Sequence, residues 1–263
     1  MTPEDRHILE LDCGNSSFKW RVIALESDSE CGNPKAVNSG RLDNIDQFDS
    51  LVYELSAQNR LIAGCRAASV AGDAVNAQLN EIWQRIFESP IRFARVERSC
   101  NGVECGYDDL SQLGVDRWSA IIAAAANVAS IDGARPFVVI DAGTALTADI
   151  VGEDRMHQGG YILPGLVLML DALKEKTAIP DIRIPDVDSL KSRDPGRDSA
   201  SAISSAVTSA VSAFTRYVCG LGGSRAKVLV TGGHAELVGS LCETEFDLQP
   251  DLVMDGLSYI VPI

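Results

Sequence analysis

Residues 8–23 read ILELDCGNSSFKWRVI, and residues 138–151 read VVIDAGTALTADIV. Each is an apolar strand, an Asp, a tight glycine turn carrying a hydroxyl, and a second strand. The spacing Asp-x-Gly-[Asn/Thr] recurs at Asp12 and Asp141, 129 positions apart. A repeat that long suggests a duplicated half rather than a solenoid unit. What recurs chemically is a carboxylate at a strand end, beside a turn whose backbone N–H groups can face a phosphate. Two such turns facing each other would make a nucleotide cleft.

Outward from the first turn, residues 8–11 and 18–25 read as a hairpin. Phe18, Trp20 and Val22 alternate with Lys19 and Arg21, which gives one buried and one polar face. CGNPKAVNSG (31–40) reads as a loop. Residues 45–58 have helical spacing, with Ile45, Phe48, Leu51, Val52 and Leu55 on one stripe. LIAGCRAASVAG (61–72) reads as a buried strand running into a turn. Residues 74–88 read as a helix with Leu79, Ile82, Trp83 and Ile86 inward, and IRFARV (91–96) as a strand. In LGVDRWSAIIAAAANVAS (113–130) the alanine-rich part from Arg117 onward is the strongest helix signal, joining the two halves. The second half opens on its hairpin, followed by GGYILPGLVLMLDALKEKTA (159–178), a turn leading into a helix. Residues 180–198 are rich in Pro and Asp, a surface loop. Ser199 to Val218 is a helix of small residues, and AKVLVTGGHAELV (226–238) is strand, glycine turn, helix. The pattern is mixed α/β in two similar halves, 1–118 and 119–263.

At 263 residues the chain can bury a real core as one large domain or two ordinary ones, and 46% hydrophobic with 23% charged residues is a soluble globular balance. A formal net charge of −14 argues against a nucleic-acid or anionic-membrane partner, since binding to phosphate backbones is mainly a cation effect. Nucleotides remain open to such a chain if backbone N–H groups and Mg²⁺ meet the phosphates. The seven cysteines (13, 31, 65, 100, 105, 219, 242) are odd in number and form no Cys-x-x-Cys, and the histidines (7, 157, 234) lie far apart, so neither a disulfide framework nor a structural zinc site is expected. Cys100 and Cys105 read as reduced loop residues. The opening MTPEDRHI lacks the apolar core of a signal peptide. The longest apolar run, YILPGLVLML (161–170), is short for a membrane span and broken by Pro164-Gly165, so a cytoplasmic location is expected.

Four segments can carry chemistry. Asp12-Cys13-Gly14-Asn15-Ser16 and Asp141-Ala142-Gly143-Thr144 use residues that plain turns also favour. Their pairing, each after a buried strand, favours phosphate binding. Neither matches GxxxxGK[ST] or GxGxxG, which argues against P-loop and dinucleotide-binding folds. Asp12 suits Mg²⁺, which in nucleotide sites uses one or two carboxylates with phosphate oxygens and water. Thr231-Gly232-Gly233 is a strand-to-helix turn, or a place where backbone approaches a nucleoside as only glycine allows. Gly114-Val115-Asp116-Arg117 opens the long helix. It is either an N-cap Asp with a surface cation, or a carboxylate that deprotonates a hydroxyl beside an arginine that holds a substrate anion.

DCGNS, LGVDRW, DAGTALT, GGYILPG, KTAIP and VTGG, in this order from about Ile8 to about Gly233, resemble the type III pantothenate kinases. The resemblance implies the acetate kinase, sugar kinase and actin-like fold, with two ribonuclease-H-like halves, the active site in the cleft between them, and a homodimer. The implied reaction is ATP-dependent phosphorylation of pantothenate to 4′-phosphopantothenate, the first step of coenzyme A synthesis. Carried over residue by residue, Asp12 belongs to the first phosphate motif and its Mg²⁺, with Gly14, Asn15, Ser16 and Lys19 lining the ATP phosphates. Asp116 is the implied base, Arg117 and Tyr107 the implied pantothenate contacts, and Gly114 the residue that shapes the turn. Asp141 is the implied ligand of a monovalent cation, K⁺ or NH₄⁺. Gly143, Thr144 and Thr147 complete the second phosphate motif, and Gly232 and Gly233 meet the nucleotide. Gly159-Gly160 and Pro164-Gly165 match a dimer-interface motif, and Thr177 a threonine that closes the partner's pocket.

The chain departs from the family pattern at Asp108-Asp109-Leu110-Ser111, where Asn-Pro is common. It also departs at Gly196-Arg197-Asp198-Ser199, with serine for threonine, and in the shortened Thr177-Ala178-Ile179-Pro180. Two other readings compete: a kinase of the same fold acting on another small alcohol or acid, and a nucleotide-binding regulatory or accessory protein. The segment Gly159–Leu173 is too apolar for an exposed surface and needs cover from its own domain or a second subunit, so a charge at Leu166 is expected to give a folded monomer.

Overall fold

The computed structural model describes residues 6–25, 36–58, 61–132, 135–177 and 194–263. They form two compact units: 1–101 with 108–126 and 252–263, and 102–107 with 127–251.

In the first unit β1 (Arg6–Cys13) and β2 (Phe18–Ala24) form the expected hairpin, with Leu11 opposite Trp20 and Asp12 opposite Lys19. A third strand, β3 (Ala36–Leu42), follows where the sequence reads as a loop through residue 40. Only Leu42 of β3 is buried, so this edge strand carries no alternating apolar signal. Trp20 explains Gly40: a Cβ there would lie 2.8 Å from the indole nitrogen. Helix α1 (Ile45–Ala57) is capped by the Asn44 side chain, which accepts from the Gln47 N–H, and it buries Phe48, Leu51, Val52 and Leu55. β4 (Leu61–Ser69) lies parallel to β1, and β5 pairs only over Arg92–Phe93. Helix α2 (Asp73–Phe87) buries Leu79 and Trp83 and packs Ile82 against the same core, while Ile86, expected inward, is exposed in the last turn of the helix. The sheet order is β3-β2-β1-β4-β5. A short strand β6 (Ser99–Cys100) precedes the second unit's β7 (Val103–Glu104), and α3 (Val115–Asp132) gives residues 115–126 to the first unit.

The second unit repeats the arrangement. Strands β8 (Phe137–Ala142), β9 (Ala145–Val151) and β10 (His157–Pro164) form the antiparallel part; β11 (Lys227–Thr231) and β12 (Asp247–Leu248) run parallel to β8 and β11, giving the order β10-β9-β8-β11-β12. The duplication read from the two Asp turns is therefore a duplication of whole sheets. GGYILPG, expected as a turn, is most of strand β10. Its register shifts between His157 and Gly160, and Gly159 takes φ 102°, so the glycines serve a bulge within the strand. Helices α4 (Leu166–Lys176), α5 (Ser199–Gly222, capped by Asp198) and α6 (Ala235–Ser240) cover this sheet. Leu166 and Leu170 enter its core, whereas Ile162, Val167 and Leu168 are exposed, so the domain's own core covers only part of the apolar run. Leu166 faces inward, which overturns its expected place in an intersubunit seam.

The last helix, α7 (Leu252–Ile260), returns to the first unit and packs on β1 and β4. A buried charge network fixes it there. Arg21 bonds Glu10 through Nε at 2.5 Å and Asp255 through Nη1 at 2.7 Å, and Arg66 bonds Glu10 through Nε at 2.7 Å and the Val261 carbonyl at 3.0 Å. Two carboxylates and two guanidiniums, each at most 4% exposed, neutralise one another. Among the described residues no helix is long and apolar enough to cross a membrane.

Candidate active site

Asp12 stands half-buried near the end of β1. The Gly14 N–H donates to the Ser17 carbonyl at 3.2 Å and closes the turn, leaving Asn15 and Ser16 exposed at its tip and Lys19 half-buried across from Asp12. Cys13, within the motif, is buried, and burial pushes its thiol far above the ordinary range, so it packs rather than reacts.

The second turn is built more tightly. Asp141 pairs in register with Thr147 on one side and Thr231 on the other. The Gly143 N–H donates to the Ala145 carbonyl at 3.0 Å, and Thr144 is exposed. Gly232, at φ 96°, presses onto this turn: a Cβ there would lie 2.4 Å from Asp141 Oδ1 and 2.6 Å from the Ala142 carbonyl carbon. Close approach does require glycine at 232, and what it approaches is the Asp141–Ala142 backbone and carboxylate. Gly233 is exposed with open space around it. Gly165 has a similar task that the sequence does not reveal. Its N–H donates to the Thr144 carbonyl at 2.9 Å, and a Cβ would lie 2.4 Å from the Gly143 carbonyl oxygen. The start of α4 is thus seated on the turn at Gly143–Thr144.

At the start of α3 the Trp118 N–H donates to the Gly114 carbonyl at 3.0 Å, so Gly114 precedes the helix and Asp116 is its second residue, not its N-cap. Asp116 is half-buried, and its Oδ1 accepts the Arg117 N–H at 2.7 Å. A Cβ at Gly114 would lie 2.5 Å from that Oδ1, so the glycine makes room for the carboxylate. Arg117 is 7% exposed and no surface cation.

Tyr107 is half-buried in the second unit, stacked on His157, a residue the sequence reading left without a role. Its signal appears only in three dimensions, since His157 and its partner Asp149 sit on neighbouring strands. The Thr177 hydroxyl, just past α4, is exposed and donates to the Leu173 carbonyl at 2.7 Å; Ala178–Pro180 lie outside the described residues. Among the described residues no group of three or more His, Cys, Asp or Glu could hold a metal ion. Asp12 fits Mg²⁺ in another way: one accessible carboxylate beside a turn leaves the remaining positions to phosphate oxygens and water.

Residues 8–220 match the family model for type III pantothenate kinase. A protein of Pseudomonas aeruginosa strain LESB58 named type III pantothenate kinase is 36% identical over 97% of this chain and 99% of its own length. A Pseudomonas putida strain W619 protein of the same name is 37% identical over the same shares. Among solved structures, a Campylobacter jejuni protein assigned to the Baf family of transcriptional activators superposes with TM-score 0.58 at 21% identity over 95% of both chains. A Sinorhizobium meliloti protein assigned as a 2-dehydro-3-deoxygalactonokinase gives 0.57 at 15% identity, over 97% of this chain and all of its own. These two likenesses establish the fold, that of the sugar kinases and actin-like ATPases.

Proposed function

The chain belongs to the type III pantothenate kinases, enzymes that phosphorylate pantothenate, and from that premise we propose which residues carry the transfer and how. The observation that supports the catalytic assignment most is the start of α3. There a glycine yields space to the Asp116 carboxylate and the next residue is a buried arginine.

In this reading Arg117 holds the pantothenate carboxylate, Tyr107 is a further pantothenate contact, and Gly114 shapes the turn before Asp116. The primary hydroxyl oxygen attacks the γ-phosphorus in line, the bond to the bridging oxygen of ADP breaks, and the hydroxyl proton passes to Asp116. A carboxylate is far too weak a base to hold an alkoxide in the ground state, so proton transfer follows most of the phosphoryl migration. Asp116 acts first by orienting the hydroxyl and late as a base. Gly14, Asn15, Ser16 and Lys19 serve one phosphate turn of ATP; Gly143, Thr144 and Thr147 serve the other, with Gly232 and Gly233 toward the nucleoside. Asp12 would hold Mg²⁺, which when bound would neutralise phosphate charge, and Asp141 would hold K⁺ or NH₄⁺.

We further infer a cytoplasmic homodimer. Ile162, Val167, Leu168 and Leu173 are exposed apolar side chains on β10 and α4, which supports a two-fold pairing through this face, with Thr177 completing the partner's pocket. The deciding assay measures ADP release from ATP, Mg²⁺ and K⁺, with and without pantothenate. Stoichiometric, pantothenate-dependent release is expected. Release driven by a different alcohol, with none from pantothenate, would overturn the substrate assignment.

A further inference from the structure

The second unit holds a buried histidine whose surroundings all bear on Tyr107. His157 opens β10 and is fully buried. Its Nε2 lies 2.9 Å from Oδ1 of Asp149 on β9, itself 2% exposed. The imidazole lies nearly flat on the Tyr107 ring, with centroids 5.7 Å apart and planes 10° from parallel, an offset stack. The backbones are locked together as well. A Cβ at Gly106 would lie 1.8 Å from the His157 carbonyl oxygen, so only glycine lets the segment pass. Further back, the Glu104 N–H donates to the Arg155 carbonyl at 3.0 Å, and Glu104 forms a parallel bridge with Met156. The short piece of chain that carries Tyr107 is thus fastened alongside residues 155–157 at 104, 106 and 107.

An apolar side chain could fill the same volume, but it would not fix a plane. A carboxylate–imidazole bond in a buried site sets the ring's orientation. His157 Nδ1 has no hydrogen-bond partner among the described residues, so Asp149 is the group that sets the plane here. Tyr107 takes its own plane from that surface and, being half-buried, keeps part of its ring accessible. We propose that His157, held by Asp149, is a positioning residue that presents Tyr107 to pantothenate.

The inference rests on the reading of Tyr107 as a pantothenate contact, and the test separates the two. Steady-state kinetics would be measured for His157→Ala, Asp149→Ala, Asp149→Asn, Tyr107→Ala and the double variant His157→Ala/Tyr107→Ala. KM does not depend on how much of a preparation is folded, so partial misfolding lowers apparent kcat without imitating the effect. His157→Ala and Asp149→Ala are expected to raise KM for pantothenate about tenfold, the usual scale for losing a residue that orients a contact group, with KM for ATP within about twofold. Asp149→Asn retains an acceptor oxygen and should restore most of the affinity. In the Tyr107→Ala background the His157 change should add nothing, as a double-mutant cycle requires of coupled residues. If Tyr107→Ala raises the pantothenate KM and His157→Ala does not, or if His157→Ala raises both KM values alike, the positioning role is overturned. If Tyr107→Ala leaves the pantothenate KM unchanged, the substrate role of Tyr107 fails first and takes the inference with it. Should His157→Ala be insoluble, Asp149→Ala against Asp149→Asn decides alone.

Discussion

Arg21 Nη1 and Asp255 Oδ1 meet at 2.7 Å inside the first unit, joining the second strand of the chain to its last helix across 234 positions of sequence. Removing one member of a buried ion pair strands the other charge, at a cost of about 3–5 kcal/mol. Asp255→Ala should therefore lower the melting temperature of the first unit by about 10 °C. The double replacement Arg21→Met/Asp255→Leu should recover much of that loss. Calorimetry checks both, and an unchanged transition in Asp255→Ala would show the bond to be idle.

Asp116→Asn keeps the shape of the helix start and removes the proposed base. A fall in kcat of about 10²–10⁴ is expected, with ATP binding nearly unchanged. Single-turnover transfer to pantothenate measures it; near-normal turnover removes Asp116 from this role.

The two turn carboxylates should respond to different ions. Asp12→Asn is expected to weaken use of Mg²⁺-ATP, visible as a higher Mg²⁺ requirement. Asp141→Asn should blunt the response to K⁺ or NH₄⁺. Identical rates in Na⁺ and K⁺ buffers, with Asp141→Asn indistinguishable from the parent, would exclude a monovalent site.

Adjacent glycines offer a contrast. Gly232→Ala drives a Cβ into Asp141 and Ala142 at positive φ and should cost about 1–3 kcal/mol, seen as a lower melting temperature of the second unit. Gly233→Ala meets open space, so its folded stability should hold while KM for ATP rises. If neither affects ATP, the glycine pair serves packing alone.

Assembly can be probed at two leucines two residues apart, on opposite sides of α4. Leu168 is 48% exposed and Leu166 is 2% exposed. Leu168→Glu should give a folded monomer with impaired pantothenate use, whereas Leu166→Glu should unfold the second unit by burying a charge. Sedimentation velocity with circular dichroism distinguishes them. An active monomer in the unmodified protein would end the shared-pocket reading of Thr177.

The paired Asp turns made the architecture legible because a strand–turn–strand with one buried face writes its period into the sequence. The α1 stripe at Phe48, Leu51, Val52 and Leu55 is equally plain. β3 was hidden by its polar edge position, and β10 by glycines that read as a turn when they serve a bulge. Gly165 and His157 were invisible for another reason. What makes each necessary is a neighbour far along the chain: the Gly143–Thr144 carbonyls for one, Asp149 and Tyr107 for the other. Arg117 read equally well as a surface cation, since burial depends on what covers the helix start.

The return of α7 to β1 and β4 bears on how the polypeptide matures during translation. A ribosome delivers residues 102–251 before residue 252, so every segment of the second unit emerges before the first unit's closing helix exists. Until then Glu10, Arg21 and Arg66 share a carboxylate deficit and an open sheet face. The unit that begins the chain is thus the last to be finished, and a nascent chain halted before α7 presents a charged, half-covered sheet to chaperones and proteases.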